Sequence, residues 1–232
     1  MKTNDIIFWS DINGLPQVES IQLSQNFIPE WFRKTPSWLD GQNSKIENGT
    51  VKRCQCILDF CKVGYVIPLW CDLYVTVKSD GVWSWRSPDE IFQFDAHPST
   101  QFTGHLSIEA KKNIALILKA YCPWRAKTPK GVSLLQLPMS YHFDPRFSLM
   151  PGIVETDRHY YINQQLLIHN IGETMIPRGT PLGMYVPIRR EKYNLIVREE
   201  TKEDRRNLDR AHYLMQSKFV GGYRTLKKFI DK

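Results

Sequence analysis

Between residues 5 and 187 the apolar positions fall in short runs, each ended by Gly, Pro, Asn, Asp or Ser. Short runs with partial period-two alternation predict strands joined by tight turns. Predicted strands cover residues 5–9, 65–70, 72–77, 82–85, 91–94, 115–120, 133–137, 153–155, 165–169, 174–176 and 182–187. Ser79-Asp80-Gly81 joins two of them as a hairpin. Pro29 and Pro36 leave room for one helical turn between them, because proline fixes φ and removes a backbone donor. Trp31, Phe32 and Trp38 in that stretch are expected to cover an edge of the core. Residues 51–60 fit a strand or a short helix. Past Pro187 the pattern changes, and Leu208, Ala211, His212, Met215 and Phe219 recur at helical spacing until Gly221-Gly222. The chain reads as a mainly β domain, residues 1–188, followed by a helical tail, residues 189–232. The densest alternation of strand and turn lies in residues 128–187.

Charge changes this picture at one end. The tail holds 13 of the 31 basic and 7 of the 24 acidic residues, so it carries +6 of the formal net +7. That marks it as the candidate partner-binding surface, through Arg205, Arg206, Arg210, Lys227 and Lys228. The partner is either a protein or, through phosphate contacts that ignore sequence, a nucleic acid. Acidic residues interspersed among these favour a solvated helix docked on protein. No apolar run has the length of a membrane span, and the N-terminus lacks a signal pattern, so no membrane contact is expected.

Chemistry-bearing side chains are scattered. The five cysteines, Cys54, Cys56, Cys61, Cys71 and Cys122, form an odd set suited to free thiols. The spacing of the first three differs from that of a zinc knuckle, and buried apolar cysteine is the simpler reading. Of His97, His105, His142 and His159, His142 alone has the His-x-Asp spacing of a metal oxygenase, with Asp144, and the sequence places no third ligand beside them, so no metal site is expected. Glu155, Asp157, Arg158 and His159 make a polar cluster in the organising stretch. It is read either as a site or as the tip of a hairpin, where acidic residues are common.

Five pieces of residues 128–187 carry a resemblance. They are Pro129-Lys130-Gly131, Pro138-Met139-Ser140, Gly152-Ile153-Val154-Glu155-Thr156-Asp157, Asn170, and Arg178-Gly179-Thr180-Pro181-Leu182-Gly183-Met184. In order and spacing they resemble the core of the dUTPase and dCTP-deaminase superfamily. The resemblance implies a β-clip barrel or sandwich, and a trimer as the natural homo-oligomer. It implies that Glu155 or Asp157 would activate water, while Ser140, Lys130, Arg178 and Arg158 would hold a nucleotide with Mg²⁺. Glu155 stands where that family has Asp, Met139 where it has Arg, and Tyr141 where it has Gly. A displaced carboxylate and a bulky side chain at the phosphate turn imply lost catalysis, with the old pocket filled by Tyr141 and Glu155.

A second resemblance covers the whole chain. Pro29-x-Trp31-Phe32, Gly64-Tyr65-Val66-Ile67-Pro68-Leu69, Gln101-x-x-Gly104-His105, Pro123-Trp124 and Gly179-Thr180-Pro181 are similar to a family of tailed-phage proteins of uncharacterised activity. That resemblance implies phage origin and a place in the host cytoplasm or the virion. The expectation is a non-enzymatic structural or interaction protein without cofactor, whose partners are its own copies and other phage or host proteins. The alternative is a Mg²⁺-dependent deoxynucleotide pyrophosphatase.

Overall fold

Thirteen strands and five α-helices, with four 3-10 turns between them, follow one another among the residues that the computed structural model describes, 4–39, 49–216 and Leu226. In chain order these are β1 (Ile7–Ser10), α1 (Leu15–Val18), β2 (Gln22–Leu23), α2 (Glu30–Lys34), α3 (Gln55–Phe60), β3 (Tyr65–Pro68), β4 (Leu73–Val77) and β5 (Trp83–Arg86). Then come β6 (Phe94–Ala96), α4 (Ile108–Lys111), β7 (Leu116–Lys127), β8 (Val132–Pro138), β9 (Phe147–Leu149), β10 (Gly152–Val154), β11 (Tyr161–Ile168), β12 (Gly172–Ile176), β13 (Pro181–Arg189) and α5 (Lys202–Gln216). The protein is mainly β, and its strand pairs are antiparallel. Lys227 and Lys228 lie outside the described residues.

Two compact units divide the chain. One joins residues 1–29 to 61–191, and the other joins residues 30–60 to the segment from 192 onward. The first unit is built from three sheets, ordered β1-β7-β11-β9 with β6 also on β7, β10-β8-β13-β3-β2, and β12-β4-β5. All three contribute to one core: Leu118 and Leu166 from the first, Ile67, Leu134 and Tyr185 from the second, Leu73 and Ile176 from the third. Alternation along β4, buried at Leu73, Val75 and Val77, follows the period of two that puts successive side chains on opposite faces. Pro123 sits inside β7, where it cannot donate to a ladder. Its place coincides with a register shift against β11 and lies between the residues paired with β6, 118–120, and those paired with β1, 124–127.

In the second unit α2 is the single turn allowed by its flanking prolines, and residues 51–60 take helical form. Phe32 is buried, Trp31 is 39% exposed, and the Arg53 guanidinium stacks on Trp38 at 3.7 Å. Thr201 caps α5: its hydroxyl accepts from the Asp204 N–H at 3.2 Å, while the Asp204 carboxylate accepts from the Thr201 N–H at 2.8 Å. No helix among the described residues is long and apolar enough to cross a membrane.

The cysteines separate by burial. Cys54 and Cys56 are exposed, whereas Cys61, Cys71 and Cys122 are buried. Burial pushes the Cys71 thiol up to about 11 and Cys122 up to about 12, and also raises Cys61. Since the thiolate is the nucleophile, a short pulse of alkylating reagent on the folded protein is expected to modify Cys54 and Cys56. Cys71 and Cys122 should react after unfolding, which peptide mass mapping would resolve.

Candidate functional site

The chain must turn between Val154, the end of β10, and Tyr161, the start of β11. Glu155 supplies the turn with its carbonyl, which accepts from the N–H groups of Arg158 at 3.0 Å and His159 at 2.9 Å. Thr156 is fully buried, and its hydroxyl meets that of Thr128 at 2.8 Å. The Thr128 hydroxyl donates to the Val132 carbonyl at 2.7 Å, so Thr156 is the donor between the two hydroxyls.

Asp157 is the centre of this arrangement. Its side chain is 6% exposed and accepts both arms of the Arg190 guanidinium, one at 2.8 Å. It also accepts the Gly131 N–H at 2.9 Å. Arg190 gives a further hydrogen bond to the Ser133 hydroxyl at 2.7 Å, and its backbone N–H donates to the Gly131 carbonyl at 2.9 Å. The Arg190 hydrogen bonds, helped by that from Gly131, hold the Asp157 carboxyl at about 2. Three turns are thereby fastened together: the link from β7 to β8, the link from β10 to β11, and the end of β13. Glu155 pairs with Arg158 at 2.9 Å and stands 3.9 Å from Arg190.

A second polar group lines a cleft of about 470 Å³ at the other end of β8. Its walls include Met139, Phe147, Leu149 and Leu182, with Ser140, His142, Asp144 and Arg146 among them. Arg146 grips Asp144 through Nε at 2.9 Å and a terminal nitrogen at 2.6 Å, and donates to the Met175 carbonyl at 2.9 Å. Burial opposes ionisation of Asp144, but the Arg146 hydrogen bonds outweigh it and leave the carboxyl below its usual range. His142 Nε2 lies 2.7 Å from the Phe27 carbonyl, an acceptor, so Nε2 carries the proton. Burial lowers the His142 pKa, which keeps the ring neutral. Phe143 adopts φ +51°, rare for a bulky residue, and is 70% exposed.

The structure gathers Glu155, Asp157 and Arg158 in one place and puts Gly131, next to the exposed Lys130, against Asp157. It does not bring Ser140 there. Val154 pairs with Leu134 near the start of β8, whereas Ser140 follows its end. A seven-residue strand is about 20 Å long, so Ser140 and Glu155 stand that far apart along it. For the same reason Tyr141 and Glu155 do not fill one pocket, as the resemblance implied; Tyr141 packs edge-on against Phe143, with ring centroids 6.5 Å apart. Arg178 serves a third place, where its side chain donates to Glu19 and to the Val18 carbonyl, both at 3.0 Å, and its N–H to Asp72 at 2.8 Å.

Of the tail residues, Arg205 pairs with Glu200 at 3.2 Å, and Arg205 and Arg206 border a shallow hollow with Lys202. His97 bonds to Gln101 at 2.9 Å and His105 to the Thr100 carbonyl at 2.8 Å, both within their own loop. Among the described residues no group of three or more His, Cys, Asp or Glu is placed to hold a metal ion.

Arg190 and the Asp144–Arg146 pair were missed in the sequence. Asp144-Pro145-Arg146 had a local signal, because an acid and a base two apart around a proline suit a turn clamp. Arg190 had none, since its partner lies 33 residues earlier. In comparisons with known proteins, no family model matches the chain, and neither a curated protein nor a solved structure does.

Proposed function

We propose that this chain is a non-enzymatic structural or interaction protein of a tailed phage, built on a β-clip body of the dUTPase and dCTP-deaminase type. The observation that carries the non-enzymatic reading is the state of Asp157. A carboxylate that accepts a two-pronged guanidinium and a backbone N–H has about three of its four lone-pair sites committed and is a weak base. A residue meant to activate water needs a free, more basic oxygen. The separation of Ser140 from Glu155 along β8 supports the same reading, because phosphoryl transfer depends on groups that converge. What supports the fold reading is the order of the pieces in residues 128–187; what supports phage origin is the whole-chain resemblance.

The nucleotide reading is tested by incubating the protein with each deoxynucleoside triphosphate and Mg²⁺. No pyrophosphate release and no rise in melting temperature are expected. Release that Glu155→Gln abolishes would instead establish the pyrophosphatase. For the virion role, mass spectrometry of purified particles should find the protein in fixed proportion to the other particle proteins, and its absence would remove that role.

A further inference from the structure

The sheet that contains β1, β7 and β11 buries one face in the core and turns the other to water. Ile162, Gln164 and Leu166 of β11 are buried, so Tyr161, Asn163 and Gln165 lie on the opposite face. Residues directly opposite one another on paired strands share a face. The register therefore lays out that face in rows. Trp9, Arg125 and Tyr161 form one row across β1, β7 and β11, and Tyr121 and Asn163 form the next. Lys119 follows, with Gln165 on one side and Asp95 of β6 on the other, while Lys127 stands at the far end beyond Arg125.

Aromatic rings gather here and stay in contact with solvent. Trp9, Tyr121, Tyr160 and Tyr161 are 37%, 45%, 40% and 54% exposed. Tyr160 meets the Trp9 ring edge-on, with centroids 5.6 Å apart, which brings it beside the first row. Rings grouped on an open surface mark an interaction site. Cations sit between them. The Arg125 guanidinium lies over Tyr161 at 4.3 Å, held by hydrogen bonds to the carbonyls of Cys122 at 2.9 Å and Trp124 at 3.3 Å. The Lys119 ammonium lies over Tyr121 at 4.8 Å. In these rows Lys119, Arg125 and Lys127 stand against one acid, Asp95, whose carboxylate accepts the Ala96 N–H at 2.8 Å.

Rings and charges together select the partner. A neutral polysaccharide would use the rings and leave the cations idle, and an acidic protein segment would use the cations and leave the rings idle. A single-stranded nucleic acid uses both, because unstacked bases lie on aromatic rings and arginine planes while the phosphates meet basic side chains. In a duplex the bases are stacked on one another and offer no free face to a ring. We infer that the outer face of β1, β7 and β11 binds single-stranded nucleic acid. Bases stack on Trp9, Tyr121 and Tyr161, and phosphates meet Lys119 and Lys127. DNA and RNA serve alike, since bases and phosphates are common to both. These residues belong to the body and not to the basic tail, and the inference stands without the phage reading.

The experiment is fluorescence anisotropy on the full chain at about 50 mM salt, with labelled oligothymidylate and oligouridylate of about 16 bases. Both oligomers should bind. Tyr121→Leu and Tyr161→Leu should each weaken binding about 5- to 150-fold, the worth of one stacked base. Tyr161→Phe keeps the ring and should bind as the wild type does. Both tyrosines are exposed, so the melting profile should not change. Lys127→Ala should reduce the slope of log affinity against log salt by about 0.7, one phosphate contact on a single strand. Arg205→Ala/Arg206→Ala, in the tail, should leave the affinity unchanged. Failure of both oligomers to bind, an affinity untouched by either leucine variant, or binding lost with the tail charges alone would overturn the inference. Tighter binding of a neutral polysaccharide than of either oligomer would overturn it too.

Discussion

Gly64→Ala is expected to cost about 3 to 5 kcal/mol of stability, the sum of backbone strain and overpacking. Gly64 adopts φ +82°, in the left-handed region, immediately before β3. A methyl group there would lie 2.4 Å from the Tyr185 carbonyl oxygen and 3.2 Å from the Val186 Cα. Both belong to the backbone of β13, which pairs with β3 on one side and β8 on the other. Neither side chain rotation nor solvent can relieve such a contact. Tyr185 is fully buried, and its hydroxyl links Gln164 at 2.8 Å to Gln136 at 3.0 Å, so any shift of β13 disturbs a buried polar chain as well. Gly81→Ala is the control, because Gly81 has φ +84° but open space around the missing Cβ. It should lose about 1 to 2 kcal/mol, the left-handed cost alone. Urea unfolding of both variants would decide the matter, and equal losses would show that the approach of β13 to Gly64 is unimportant.

Asp157→Asn should lose about 2 to 3 kcal/mol, the scale of hydrogen bonds to a charged group. The amide keeps the shape but removes the carboxylate that grips Arg190, leaving it only the more distant Glu155 at 3.9 Å. The loss should depend on pH in a defined direction. The Arg190 hydrogen bonds depress the folded carboxyl to about 2, against about 4 for an unstrained aspartate. A depressed acid contributes stability that is complete above the unfolded value and vanishes as pH falls through the folded one. Wild type and Asp157→Asn should therefore differ fully at neutral pH and converge between about pH 4 and pH 2. A difference that persists unchanged to pH 2 would mean that the ion pair is not its source.

The β character of the body was legible because its strands are short and their ends carry Gly, Pro or Asn. The hairpin of β4 and β5 lay on the face of the sequence, with Asp80 accepting the Val82 N–H at 3.0 Å and Gly81 at positive φ. β9 was not legible. Phe147-Ser148-Leu149 is three residues between Pro145 and Pro151, too short for any period to show. The length of β7 was hidden by Pro123, which reads as an end and instead lies between the residues that pair with β6 and those that pair with β1, while β11 continues along the strand with a shifted register. The candidate site was half legible. Glu155 and Asp157 are marked as a turn by their neighbours, but what holds their charges is set by contacts far along the chain. Composition suggested a basic tail from Arg189 onward, yet Arg190 belongs to the body through Asp157, Ser133 and Gly131.

The clasp at Arg190 also governs how tension travels. Pull exerted on the tail, as when a neighbour holds it, meets a charged peg before it reaches the ladder of β13. The peg passes the strain sideways into the turns at Gly131 and Asp157, each tied to a different strand. Peeling β13 from its end would first require drawing an ion pair into water, so the body should resist being unzipped by whatever grips its tail.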